Sequence, residues 1–353
     1  MRIGLSYNLK DDFILEAHHP PDELEEYDCE ETISALESAI AKAGHQVVRL
    51  GGGRAFLQNI LREKVDLVFN IAEGWGGRSR EAQIPAVLEM LGIPYTGSDP
   101  TSLALSQDKA KLKALLTEAG IPTPGYRLIN CDSPINWGTT APMNRGTTDL
   151  SFPLIVKPAY EGSSKGIRLN SVVHNPQELQ TQVKWLLDTY HQAVLLEEYI
   201  QGEEITVGIV GNSPPKVVGI MQICPRDSHG QAFVYSLEVK RDWQRQVEYI
   251  CPPRLSPQLV EQISDVALRA YKMLDCRDLS RVDIRLGHSP SYGTKVPTPY
   301  GAEAPTPYFI EINPLPGLNP SYSDLIIMTG KMGIKYDDLI NSILNSALTR
   351  IFP

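Results

Sequence analysis

Near the C-terminus, Arg281, Asp283, Glu311 and Asn313 combine two carboxylates, an amide and a guanidinium within two short apolar segments. In "FIEINPLPGLNP", Phe309–Pro320, alternation puts Phe309, Glu311 and Asn313 on one strand face and Ile310 and Ile312 on the other. A strand that turns a carboxylate inward must give it a partner, because an unpaired buried charge is costly. In "SRVDIRL", the same alternation puts Arg281, Asp283 and Arg285 together, with Val282, Ile284 and Leu286 opposite. If the two strands are neighbours, their polar faces form one patch of hard oxygen donors. Such a patch suits Mg²⁺, which takes one or two protein carboxylates and completes its octahedron with phosphate oxygens and water. A cross-strand ion pair between Arg281 and an acid accounts for the same residues without a metal.

Two further segments fit phosphate and nucleoside chemistry. In "VKPAYEGSSKGI", Lys157 ends an apolar strand ahead of a small-residue loop containing Glu161, Ser163 and Ser164, whose backbone N–H groups can approach an anion. The lysine precedes the loop, so this is not a P-loop, and an exposed hairpin turn is the alternative. In "LLEEYIQGEEITV", a strand runs through Glu197, Glu198, Tyr199 and Ile200 to Glu204. Such a hinge can meet an adenine edge with its backbone and ribose hydroxyls with an acid. A strand end with solvated acids is the plainer reading.

The elements that must position these groups follow from periodicity. The first hundred residues alternate strands ("RIGLSY", "QVVRLG", "VDLVFNI", "IPYTGS") with helices, predicting a parallel, doubly wound α/β sheet. A helical stretch after Pro100 ends near Gly120, and residues 130–151 read as an irregular insertion. "KGIRLNSV" reads as a further segment before the helix "PQELQTQVKWLLDTY". A Pro-, Gly- and Thr-rich link, His288–Pro307, joins two strands expected to be adjacent. The divisions expected are 1–100, 101–208 and 209–353. The charge of −9 over 353 residues argues against a general nucleic-acid binder. Neither a signal-peptide pattern nor an apolar run of roughly 18 residues is seen. Five scattered cysteines (Cys29, Cys131, Cys224, Cys251 and Cys276) favour a reducing, cytoplasmic setting.

The order of Lys109, Lys157, the Glu197–Glu204 hinge, Lys240, Asp283, Glu311 and Asn313 resembles the ATP-grasp ligases, and within them the D-alanine–D-alanine ligase family. "IPYTGSDPTSLALSQDKAKLK", "FPLIVKPAYEGSSKGI", "LLEEYIQGEEITV", "SRVDIRL" and "EINPLPGLNP" carry the likeness over nearly the whole chain. The resemblance implies an ATP-grasp fold, α/β at its N-terminus and α+β where central and C-terminal domains clasp ATP. It implies Lys109 and Lys157 on the α- and β-phosphates, the Glu198 and Ile200 backbone at adenine with Glu197 close by, and Glu204 on the ribose. Lys240 would close over the γ-phosphate, while Asp283, Glu311 and Asn313 bind two Mg²⁺ ions, with Mn²⁺ as a substitute. Arg281 and the Gly317 amide would stabilise a tetrahedral intermediate, and Ser163 would lie near the amino-acid pocket. The implied reaction joins a carboxylate to an amine through an acyl phosphate, on small-molecule substrates and commonly in a homodimer.

Departures concentrate at the amino-acid contacts. Lys240-Arg241 stands where the family has Lys-Tyr. The N-terminal glutamate that meets that tyrosine has only Asp28, Glu30 and Glu31 as candidates. "FNIAEGWGGRSREAQ", with Asn70, Glu73, Arg78, Arg80 and Glu81, replaces a His-Gly motif, and Tyr322-Ser323 replaces Ser-Leu. A different amino acid, dipeptide or carboxylate is therefore expected, with D-alanine still open and the pathway open between peptidoglycan (cell wall) and secondary metabolism. An ATP-grasp kinase and a non-catalytic nucleotide-binding module are the alternatives; retention of Lys109, Lys157, Lys240, Asp283, Glu311, Asn313 and Arg281 together speaks against the latter.

Overall fold

The computed structural model describes residues 1–16, 19–130, 150–227, 233–287 and 305–352. The expected insertion and the link before the last strand fall mainly outside them, as does Cys131. The first sheet, order β2-β1-β3, is parallel and comprises β1 (Arg2–Ser6), β2 (Gln46–Gly51) and β3 (Leu67–Asn70). "IPYTGS" contributes only a single bridge, Val68 to Tyr95. Strands this apolar need cover on both faces. On one face Ile3, Leu5 and Phe69 pack with Ile33, Leu36 and Ile40 of helix Glu30–Lys42. On the other, Leu50 and Val68 pack with Phe56, Ile60 and Leu88 from helices Gly53–Arg62 and Gln83–Leu91. Ile340, Ile343 and Leu344 of the C-terminal helix Tyr336–Ile351 join the first of these cores, so the end of the chain closes over its beginning.

The second sheet contains β4 (Tyr126–Ile129), β5 (Leu154–Pro158), β6 (Val172–Val173) and β7 (Val194–Glu198) in the order β4-β7-β5-β6. Helix Pro176–Tyr190 covers it with Val183 and Leu186. Within "KGIRLNSV", Leu169–Ser171 form a 3₁₀ turn, and the two-residue β6 begins at its last residue, Val172. The third sheet, order β10-β9-β8-β11-β12, is antiparallel and contains β8 (Gly202–Val210), β9 (Lys216–Pro225), β10 (Val247–Ile250), β11 (Leu279–Gly287) and β12 (Thr306–Asn313). Helix Pro257–Met273 packs Ile263, Val266 and Ala270 against its inner face. At the crossing from β7 into β8, a Cβ on Gly202 would lie 1.6 Å from the Leu286 carbonyl oxygen, so only glycine allows this approach.

Two local features place the polar residues. The helical stretch after Pro100 breaks at Asp108, whose side chain caps a second helix, Lys109–Glu118, and so puts Lys109 at its first position. On β12 the register shifts: Asp283 pairs with Glu311, but Ile284 pairs with Phe309. The extra residue, Ile310, corrects the strict alternation expected from sequence. Phe309 turns into the core beside Val282, Ile284 and Ile312, while Ile310 lines the cleft with Glu311.

Shortening Ile343 to alanine should cost about 2–4 kcal/mol in urea unfolding, because it removes packing between the C-terminal helix and the first sheet. An unchanged midpoint would show that this helix does not hold the sheet.

Candidate active site

The third sheet supplies one wall of a cleft. Across β11 and β12, Asp283 stands opposite Glu311 and Arg281 opposite Asn313. Two like charges in direct register repel, and neighbouring cations and donors offset this. Asn313 donates to Asp283 Oδ2 at 3.3 Å, Arg281 lies 3.2 Å from the same oxygen, and Lys109 lies 3.4 Å from Glu311 Oε2. Burial pushes the Asp283 carboxyl up more than Arg281 pulls it down. Burial raises Glu311 as well, but Lys109, Lys157, Lys240 and Arg281 outweigh it and leave Glu311 below the ordinary value. Arg281 also makes a 2.5 Å ion pair with Asp324, an acid that spacing could not have linked to it. Thus the ion-pair reading of Arg281 and the patch of oxygen donors are both realised.

The second sheet supplies the opposite wall. Glu197 is 1% exposed and bridges two lysines: Lys157 at 2.5 Å and Lys113 at 2.7 Å. Lys113 donates to Thr123, which donates to the Phe309 carbonyl, tying this wall to β12. Burial is the main reason that the Lys113 ammonium falls to about 8, with Glu197 opposing it. Lys113 was not among the residues singled out from sequence. Glu197 and Glu198 are both buried, which removes the solvated-strand-end reading. Glu198, Tyr199 and Ile200 line the cleft with Lys157, Glu204 and Asp283. Glu204 is 3.7 Å from Arg285, whose guanidinium lies over the Tyr199 ring at 4.7 Å.

The loop Glu161–Gly166 is not an exposed hairpin. Ser163 and Ser164 both have left-handed φ, 47° and 59°. Gly162 and Gly166 donate their N–H groups to Glu26 and Asp22 at 2.8 and 3.1 Å. Lys165 pairs with Glu161 and, at 2.9 Å, with Glu26; Lys109 donates to the Glu161 carbonyl. Ser164 donates to the Tyr235 carbonyl, and Leu237 N–H to that of Ile167. These bonds attach the segment bearing Lys240 and Arg241 (helix Leu237–Arg241) to the small-residue loop. Arg241 reaches back to Glu25.

A second cavity of about 610 Å³ adjoins this cleft, enclosed by the ends of β11 and β12, the small-residue loop, the Lys240 segment and the N-terminal run of acids. Ser163, Lys240, Arg241, Arg281, Asn313 and Gly317 all face it. Tyr322 and Ser323 line it too, although the Ser323 hydroxyl already accepts from the Asn319 N–H at 2.9 Å. Of the acids that could stand for the family's N-terminal glutamate, Glu30 pairs with Arg49 on the surface and Glu31 accepts from Ser321. Asp28 lines the cavity, raised to about 6 mainly by burial. The acid that holds the loop is Glu26, which also accepts two bonds from Arg80 at 2.7 and 2.8 Å. Its only sequence signal is membership of the run "DELEEYDCEE".

Burial pushes the Glu26 carboxyl up, but Lys165 and Arg80 outweigh it and hold it at about 2, against 4.5 ordinarily. A depressed carboxyl stabilises the fold above its unfolded value and loses that stabilisation as pH falls through its folded one. Glu26→Gln should therefore cost about 3 kcal/mol at neutral pH by stranding Arg80 and Lys165. The difference from wild type should shrink between pH 4.5 and about 2. Urea midpoints across that range check this; a difference independent of pH would refute the pairing.

The family model for the D-ala D-ala ligase C-terminus matches residues 115–345. An uncharacterized protein of Sinorhizobium fredii, y4sG, is 32% identical over 90% of this chain and 88% of its own. The D-alanine–D-alanine ligase of Carboxydothermus hydrogenoformans is 31% identical over 89% of this chain and 91% of its own. The crystal structure of D-alanine–D-alanine ligase from Bacillus anthracis complexed with ATP superposes with a TM-score of 0.68 at 24% identity, covering 99% of this chain and 98% of that one, a likeness of fold. With its ATP-grasp arrangement of sheets and this extent of similarity, the chain belongs to the D-alanine–D-alanine ligase family, ligases that form C–N bonds.

Proposed function

We propose that the protein uses ATP to join the carboxylate of one amino-acid-like substrate to the amine of a second, through an acyl phosphate. The observation that carries this reading is the convergence on one cleft of the Asp283–Glu311 pair, Lys109 and Arg281. In this reading Lys109 and Lys157 bind the α- and β-phosphates. The backbone of Glu198 and Ile200 receives adenine, Glu204 the ribose, and Lys240 the γ-phosphate, with Glu161, Ser163 and Ser164 in the covering loop.

Asp283, Glu311 and Asn313 fit divalent magnesium: three hard oxygen donors, two of them carboxylates in direct register, face a cleft where only partial cationic compensation is present. When bound, the metal would neutralise charge on the phosphoryl group in transfer. The substrate carboxylate oxygen forms a bond to the γ-phosphorus as the β–γ bridge breaks and ADP departs. The amine then bonds to the acyl carbon; the C–O bond to phosphate breaks with its electron pair, and the nitrogen loses a proton. Arg281 and the Gly317 N–H stabilise the oxyanion between these events, at about 3 kcal/mol per donor. The latch between the small-residue loop and the Lys240 segment excludes water that would hydrolyse the acyl phosphate.

D-alanine remains a substrate to test, while Arg241, Glu73, Tyr322 and Ser323 are the positions where the pocket differs from the family pattern. ADP formation should require a carboxylate and an amine together. Glu311→Gln should lower kcat by at least about 10³-fold through lost transition-state charge stabilisation. ADP released at full rate without an amine would indicate a kinase instead, and wild-type rates in the variant would remove Glu311 from the site.

A further inference from the structure

The cavity in front of Arg281 and Gly317 carries more acid than its own cations match. Six acidic residues face it: Glu25, Glu26, Asp28, Glu73, Glu81 and Asp324. Three are paired: Glu25 with Arg241, Glu26 with Arg80 and Lys165, and Asp324 with Arg281. Asp28 has its side-chain hydrogen bond from Thr32 and the nearby charge of Lys10. Glu73 and Glu81 are different. Among the described residues their carboxyl groups have no ion pair and no hydrogen bond; burial and neighbouring acids push both up, and the cations near them, Arg80 for both and Lys109 for Glu81, are paired with Glu26 and Glu311. Arg80 is near both, but its guanidinium is already bonded to Glu26 and the Tyr160 carbonyl.

Buried beside other acids, these two carboxyls favour the protonated form, and a cation that enters the cleft is what would hold them ionised. A metal ion held by acids does not fit, because no three His, Cys, Asp or Glu side chains among the described residues form a metal-binding group. The α-ammonium of an amino acid matches one carboxylate and leaves the second. The remaining walls include Tyr27, Tyr235, Trp243 and Tyr249, and the Tyr235 ring already holds one cation, the Lys240 ammonium, at 5.2 Å from its centre.

From this juxtaposition we propose that one amino-acid substrate carries a second cationic group, a side-chain ammonium or guanidinium, received by Glu73 and Glu81. The proposal rests on the ligase reading and names its substrate class: basic amino acids rather than alanine alone. Glu73 and Glu81 are then specificity residues, and their effect falls on KM more than on kcat.

The test uses the full chain with ATP and Mg²⁺ and measures ADP release for matched pairs in both D and L forms. Lysine is compared with norleucine and arginine with citrulline, each alone and with alanine as co-substrate. The cationic member should have a kcat/KM roughly 10- to 100-fold above its neutral isostere, the worth of a charged hydrogen bond. Glu73→Gln and Glu81→Gln should each reduce that ratio, through a higher KM for the cationic member. If neutral isosteres or alanine are used as well as the basic amino acids, the ligase reading stands and this inference falls. If no pair of amino acids drives ADP release, both fall. The wild-type ratio decides the matter even where a variant does not fold.

Discussion

The cleft depends on placing two carboxylates, Asp283 and Glu311, directly opposite each other on neighbouring antiparallel strands. Like charges in that register cost stability, so the surrounding protein is organised to offset them. Lys109 comes from the first position of a helix, Arg281 from the same strand, and Asn313 from the partner strand. The shifted register of β12 is part of the same arrangement, because it separates Phe309, which the core needs, from Glu311 and Asn313, which the cleft needs. The opposite wall uses the same logic. Glu197 sits between Lys113 and Lys157, so neither ammonium is buried without a counter-charge.

Closure of the cleft is also electrostatic. Glu25 and Glu26 follow one another near the start of the chain, yet one holds Arg241 on the Lys240 segment and the other holds Arg80, Lys165 and the Gly162 N–H. Asp22 adds bonds from Gly166, Arg168 and Tyr190. This N-terminal segment thus gathers the small-residue loop and the closing segment into one cover. The C-terminal helix, packed on the first sheet, ties the far end of the chain to the same unit.

The groups proposed to handle ATP match the family pattern, while the cavity proposed for the amino acids is rebuilt. Arg241, which the sequence resemblance sets against a tyrosine of the family, pairs with Glu25, and Arg281 is braced by Asp324. Among the described residues, Glu73 and Glu81 of this cavity have no ion pair, whereas on the second sheet Glu197 is matched by two lysines.

The sequence alone determined the elements and the side chains able to do chemistry. Alternation placed Asp283 and Arg281 on one face of a strand, and the βαβ rhythm predicted a parallel sheet covered on both sides, as the described residues have it. It could not place Phe309 and Ile310, because a one-residue bulge arises from pairing with β11 and has no signature in β12 itself. Tertiary structure alone selected Glu26 from a run of neighbouring acids, joined Lys113 to Glu197, and set Asp324 against Arg281. The reason is physical: periodicity reports which way a side chain points along its own element, whereas an ion pair between residues distant in sequence depends on how separate elements pack.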